Sequence, residues 1–149
     1  MKLSNDHKKL ITELKGEIYP WRKYLIAIDG ITGSGKSGLA RYLAWKLDMP
    51  TVETDMLRNK NAIQPSYRLA ELGNLIQERH ELGRPVIVEG IFILDTLNKL
   101  GIEPDYVIYV KNSEANTGSA LLRSLPDYLT RYNPEERASY VFNTDFTNM

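Results

Sequence analysis

The chain has 149 residues and 17.1 kDa, the span of one ordinary domain with little room for a second. Apolar residues make up 42% and charged residues 26%, which argues against disorder, while nineteen Lys and Arg against nineteen Asp and Glu argue against holding nucleic acid by bulk phosphate neutralisation. The absence of cysteine removes disulfides, thiolate metal sites and thiol nucleophiles, and no apolar run approaches the ~18–20 residues that cross a bilayer. Residues 1–9 lack the apolar core of a signal peptide, so the expectation is one cytoplasmic domain over 1–149, off the membrane, monomeric or homodimeric.

Ser4 to Glu17 predicts an amphipathic helix capped by Ser4, with Leu3, Leu10, Ile11, Leu14 and Ile18 at roughly helical spacing. Pro20 and Trp21 break that pattern, so residues 1–22 form a helical extension ahead of the domain proper. Tyr24 to Asp29 is an almost wholly apolar strand, and its lack of alternation predicts cover on both faces, as in a parallel sheet. A Gly-rich turn leads into a helix from Lys36 to about Leu47, with Leu39, Leu43 and Leu47 on one face. Thr51 to Thr54 is a second strand. Ser66 to Leu82 is a helix striped by Leu69, Leu72, Leu75 and Ile76 and closed by Gly83. Pro85 to Glu89 is a third buried strand, Ile91 to Leu100 a helix ended by Gly101, and Tyr106 to Val110 a fourth strand. Asn112 to about Arg131 is polar and helical, and Ser139 to Phe142 is a short fifth strand. Strands alternating with helices indicate βαβ units and a parallel sheet with helices on both faces. His7 and His80 have no partner at ligand-like spacing and are expected at the surface; Trp21, Trp45 and Tyr128 are expected to be packing residues.

The decisive stretch runs from Gly30 to Ser37: Gly, four residues, Gly, Lys, Ser. A phosphate must be met by several backbone N–H groups at once, and any Cβ on the inner wall obstructs it. Gly30, Gly33 and Gly35 remove that wall, leaving Thr32, Ser34 and Gly38 among the residues that surround the anion. The helix opening at Lys36 aims its N-terminal dipole at the same place. Lys36 can reach the β- and γ-phosphates, and the Ser37 hydroxyl can ligate Mg²⁺.

Residues Tyr24 to Ser37 resemble the opening of the small P-loop kinases, the group of uridine, cytidylate, adenylate and pantothenate-type kinases. Three further stretches are similar to that group: Val52-Glu-Thr-Asp55 to its second strand, Val86-Ile-Val-Glu-Gly90 to its third in uridine-kinase-like members, and Ala138 to Asn143 to the strand after its lid. The resemblance covers nearly the whole chain. It implies a three-layer α/β/α domain around a five-stranded parallel sheet, a P-loop NTPase fold of the nucleoside-kinase type. It further implies ATP and Mg²⁺ as nucleotide and cofactor, a small-molecule acceptor, and a lid over residues 112–137.

On that resemblance Asp55, the terminal acid of the second strand, faces the acceptor and takes the proton of its hydroxyl during transfer; its other reading is a helix cap or turn residue. Glu53, two residues earlier, is expected on the same face of the strand. Glu89, at the C-terminal end of a buried strand, points into the crevice where open α/β sheets bind ligands; it holds Mg²⁺ through water, bonds the acceptor, or pairs with a base. Asp29 serves the metal or the acceptor, or braces the loop. Arg58 stands where the group places an acceptor-binding arginine, and Arg123 and Arg131 fall in the lid, where positive charge is needed on the γ-phosphate. The group's lid carries closely spaced arginines, whereas these are well separated. Asn143 is placed to touch the nucleotide base.

The reading is an ATP-dependent phosphotransferase acting on a hydroxyl or phosphate of a small acceptor. The alternative is a nucleotide-binding domain with a degenerate or regulatory role. A GTPase-type switch fits poorly, since Asn98-Lys99-Leu100-Gly101 ends in Gly where guanine recognition needs Asp, and Glu89-Gly90 does not supply the Asp-x-x-Gly element.

Overall fold

The computed structural model describes residues 3–62, 65–112 and 119–144. Five strands, β1 (Tyr24–Asp29), β2 (Thr51–Glu53), β3 (Pro85–Glu89), β4 (Tyr106–Lys111) and β5 (Tyr140–Asn143), form one sheet in the order β2-β3-β1-β4-β5. Every pairing is parallel. The helices are α1 (Asn5–Ile18), α2 (Lys36–Leu47), α3 (Leu69–Glu81), α4 (Ile93–Lys99), α5 (Ser119–Tyr132) and α6 (Pro134–Arg137).

Strand β1 shows why the sheet needs two covers. All six of its residues are buried. Tyr24, Ile26 and Ile28 join one apolar cluster with Leu39, Leu43 and Leu47 of α2 and Leu10, Leu14 and Ile18 of α1. Leu25 and Ala27 point the other way, into a cluster with Leu72 and Ile76 of α3, Leu97 of α4 and Tyr128 of α5. Successive side chains of a strand alternate in direction, so an all-apolar strand must be covered twice, and three layers result.

The N-terminal extension is part of this core. Leu10, Leu14 and Ile18 are fully buried, whereas Leu3, outside α1, is exposed. His7, expected at the surface, is buried. Its ring meets Tyr42 and Phe142 edge-on, and its Nδ1 accepts the Ser4 N–H at 3.0 Å, closing the first turn of the helix. His80 is half-buried, with Nε2 3.3 Å from the Tyr24 carbonyl. Trp45, expected to pack, is 74% exposed, while Tyr128 is buried.

Element bounds shift most where turn chemistry competes with periodicity. Strand β2 stops at Glu53, and Thr54–Leu57 coils into a 3₁₀ turn. Helix α3 begins at Leu69 rather than Ser66, because Arg58 and Tyr67 pair in an antiparallel bridge that holds the preceding residues extended. Leu75, assigned to its buried stripe, is 42% exposed. Of the polar stretch that follows β4, residues 113–118 lie outside the described residues, and 119–132 form α5.

Candidate active site

The C-terminal ends of β1 and β3 lie side by side, with Ile28 opposite Glu89, and Glu89 opposite Glu53 of β2. This edge is where open parallel sheets present their ligand crevice. The loop from β1 turns directly into α2, whose N-cap is Gly35 at φ 99°, a left-handed conformation that a side chain would resist. Leu39 N–H bonds back to the Gly35 carbonyl at 3.0 Å, so the helix is regular from its start and its first N–H groups face the loop. Lys36, first residue of that helix, is 8% exposed. A buried ammonium is stable only with anionic company, and Glu89 and Asp29 lie within reach of its charge.

The structure brings Ser37 and Glu89 together. The Ser37 hydroxyl donates to Glu89 Oε1 at 3.0 Å, and the other carboxylate oxygen, Oε2, is buried without a hydrogen-bond partner. Burial raises the Glu89 pKa; the Lys36 charge and the Ser37 bond oppose that shift, and the charges of Asp55 and Glu53 add to it. An orphaned buried carboxylate oxygen beside a serine hydroxyl is the donor set expected for Mg²⁺. The residues present therefore fit the ion. Among the described residues no cluster of three or more His, Cys, Asp or Glu could hold a metal by itself.

Gly90 follows Glu89 for a steric reason. A Cβ there would lie 1.9 Å from the Thr54 hydroxyl oxygen, so only glycine lets the end of β3 pass the turn after β2. Glu53 is taken up by the guanidinium of Arg41, which pairs with its Oε1.

The residues expected to face an acceptor are arranged differently. Asp55 is exposed within the 3₁₀ turn, not at a strand end, so the alternation that would have put it on the same face as Glu53 does not apply. Its charge still acts on Glu89 and on the buried phenol of Tyr67. Tyr67 lies outside that turn but pairs with Arg58, the residue that follows the turn, and sequence reasoning missed it. Burial raises its pKa, and Arg58 is near enough to lower it. No periodic pattern marks this position, since the bridge depends on a turn between two irregular segments.

Asp29 is fully enclosed. Its Oδ1 accepts the Gly30 N–H at 2.9 Å and its Oδ2 the Tyr128 hydroxyl at 2.6 Å. Burial pushes this carboxyl up to about 6, although the Tyr128 hydroxyl, the Gly30 N–H and the Lys36 charge favour its ionised form. Of the readings open for Asp29, this geometry matches the brace.

Arg123 and Arg131 are both exposed on α5. Arg131 pairs with Asp127 at 3.8 Å and lies 5.6 Å from the Tyr132 ring centre. Neither arginine forms a hydrogen bond or ion pair with residues 30–37 among the described residues. Asn143 is exposed at the last position of β5. The next residue, Thr144, meets the loop: its buried hydroxyl donates to the Ser34 carbonyl at 2.8 Å. A lone threonine past a strand end carries no sequence signal of that role.

This strand order, loop and pair of carboxylates define the P-loop kinase fold. Solved structures share it. A protein of Bacillus stearothermophilus assigned provisionally as a uridine kinase superposes with a TM-score of 0.61 at 16% identity, covering 93% of this chain and 98% of that one. A protein of Silicibacter sp. TM1040 assigned provisionally as a fructose transport system kinase gives 0.58 at 15%, covering 95% and 100%. A sugar kinase from Janibacter sp. HTCC2649 gives 0.55 at 19%, covering 80% and 84%. No protein-family profile and no curated protein matches the chain in sequence. Among the described residues no helix is long and apolar enough to cross a membrane.

Proposed function

We propose that the chain is an ATP-dependent phosphotransferase that moves the γ-phosphate of MgATP to a small-molecule acceptor, in the manner of the uridine kinases. The observation that carries this reading is the Ser37–Glu89 pair with its unpartnered Oε2, set beside a buried lysine at a helix N-terminus.

The loop from Gly30 to Gly38 surrounds the phosphates: the N–H groups of Thr32, Gly33, Gly35, Lys36, Ser37 and Gly38 face them, while those of Gly30 and Ser34 are spent on Asp29 and on the Ile31 carbonyl. The Lys36 ammonium bridges the β- and γ-phosphates. Ser37 and Glu89 would hold Mg²⁺, and the ion would supply positive charge beside the phosphate oxygens. Asp55 stands on the exposed side of the same crevice and accepts the proton of the acceptor hydroxyl, and Arg58 orients the acceptor beside it. Asn143 borders the base. Arg123 and Arg131 reach the γ-phosphate only after α5 moves, since Arg131 is engaged with Asp127 in the state described; of the lid expected over 112–137, residues 113–118 lie outside the described residues.

That last point also favours a second reading, a nucleotide-binding domain without transfer activity. One experiment separates the two: ATP binding by wild type and Lys36→Ala, followed by an ATP-coupled acceptor screen. Uridine and fructose head that screen, because proteins of this fold have been assigned to them, followed by nucleotides and vitamins. Lys36-dependent binding with transfer to one acceptor supports the kinase. Lys36-dependent binding with no acceptor in the whole screen selects the second reading.

A further inference from the structure

The hydroxyl of Tyr128 has no part in the functional reading above, yet it lies at the junction of three elements. It donates to Asp29 Oδ2 at the end of β1 and accepts the Leu94 N–H of α4 at 3.2 Å, both within the buried interior. Its ring packs on Phe92, with centroids 4.9 Å apart. The bond to Asp29 spans 99 positions of sequence and continues at once to the phosphate loop, because the other Asp29 oxygen holds the Gly30 N–H. The space between these groups, lined by Ile91, Tyr109, Leu125 and Leu129 among others, amounts to about 10 Å³. That is about the space of a single water, so no substrate reaches Asp29 from this side and the phenol is its side-chain partner there.

Helix α5 carries Arg123 and Arg131, and Tyr128 is its buried anchor. By helix geometry Arg123 lies about 140° around the axis from Tyr128 and Arg131 about 60° in the same sense, so both stand to one side of the anchor. A modest rotation or slide of α5 about this anchor therefore changes where both guanidinium groups point. The Arg131–Asp127 and Lys99–Asp95 pairs each lie within one helix and do not hold α5 to α4; the Tyr132 hydroxyl does, on Asp95 at 2.7 Å, but in a half-buried place, whereas the Tyr128 bond is fully buried. The buried hydroxyl bond is the strong and directional contact.

We infer that Tyr128 is a positioning residue: through Asp29 it ties the arginine-bearing helix α5 to the first residue of the phosphate loop, so that nucleotide in the loop and the placement of α5 are coupled. This rests on the nucleotide-binding reading of the loop. Coupling of this kind requires a contact that both ends feel, and the Tyr128–Asp29–Gly30 chain is such a contact.

The test is hydrogen exchange on the full chain, with and without Mg²⁺ and a non-hydrolysable ATP analogue, for wild type, Tyr128→Phe and Tyr132→Phe. In wild type, nucleotide is expected to slow exchange in both residues 30–37 and 119–132. In Tyr128→Phe, which keeps the ring, 30–37 should still respond while the slowing in 119–132 falls about tenfold, the scale of one lost hydrogen bond. Tyr132→Phe removes a hydroxyl bond to Asp95 from the same helix and should behave as wild type. Equal responses of 119–132 in wild type and Tyr128→Phe overturn the inference, as does a wild type in which only 30–37 responds. No response anywhere in wild type removes the nucleotide reading and the inference together. Should Tyr128→Phe fail to fold, Asp29→Asn, with one acceptor oxygen left for two donors, is measured in its place with the same expectation.

Discussion

The two halves of the crevice are built to different standards. On the phosphate side the groups are buried, mutually bonded and already in place: Lys36 at the head of α2, Ser37 on Glu89, Asp29 on Gly30 and Thr144 on the Ser34 carbonyl. On the side we propose for the acceptor, Asp55 and Arg58 are exposed at an irregular turn, and the arginines of α5 are exposed too, Arg131 paired with Asp127. Phosphate is the same in every reaction of this kind, so its cradle can be rigid. The acceptor must enter and leave, and the charge on the γ-phosphate must be met only when both substrates are present.

The sharpest way to break that comparison is Lys36→Ala. If the phosphate side is pre-formed, losing its buried cation should abolish measurable ATP binding while far-ultraviolet circular dichroism and the melting temperature stay near wild type. Calorimetric titration decides it. Equal affinity for ATP in variant and wild type would mean that the loop is a structural turn. The next largest effect is expected at Asp55, where Asn keeps the shape and removes the basicity. Transfer should fall by ~10²-fold or more, the usual scale for a positioned base, with ATP affinity unchanged. A variant that binds ATP more weakly would place Asp55 on the phosphate side and erase the division.

How much of this was legible in the sequence follows the same division. The phosphate side is written in contiguous residues, because one turn between a strand and a helix supplies most of it, and the glycines and Lys36 stand at fixed spacing. Glu89 was legible too, since a charge closing the apolar run Val86-Ile-Val88 has few other places to point. The acceptor side comes from contacts that no local pattern encodes. Asp55 looked like a strand residue, but the backbone leaves the sheet at Glu53 to coil under Gly90. His7 looked isolated because its partners, Tyr42 and Phe142, are far away in sequence. Tyr128 looked like packing because its ring does pack; only its hydroxyl, across 99 positions, tells otherwise. Periodicity identifies which face of a helix is buried, not which polar atom waits there.

Gly90 tests the seam between the halves. Alanine would place a Cβ 1.9 Å from the Thr54 hydroxyl oxygen and 3.1 Å from the Thr54 Cβ, and Thr54 is itself buried. Relief requires the turn carrying Asp55 to shift away from β3. Gly90→Ala should therefore cost about 3 kcal/mol of stability, at the upper end for overpacking, and should weaken transfer more than ATP binding. Chemical denaturation and steady-state kinetics report the two effects separately. A variant as stable as wild type would show that the turn is free to move and that the acceptor side has no fixed register on the sheet.

The smallest effect concerns Asp29, the one acid whose two oxygens are both used to fasten the phosphate side to α5. Burial holds its pKa at about 6 in the folded chain, against 3.8 when solvated. A carboxyl whose folded pKa lies above its unfolded value binds its proton more tightly in the folded state. Its contribution to stability is then complete below pH 3.8 and is lost as pH rises through about 6. Asp29→Asn cannot ionise, so the difference in unfolding free energy, wild type minus variant, should decline between these limits and be flat above them. The slope is bounded by about 1.4 kcal/mol per pH unit, the value for one proton. Urea denaturation at half-unit steps from pH 4 to 7.5 measures it, and taking the difference removes the other carboxyls, which titrate alike in both proteins. Parallel curves would mean that Asp29 is hydrated in the folded chain. The sealed contact with Tyr128 would then not exist as described, and α5 would be free of the phosphate loop.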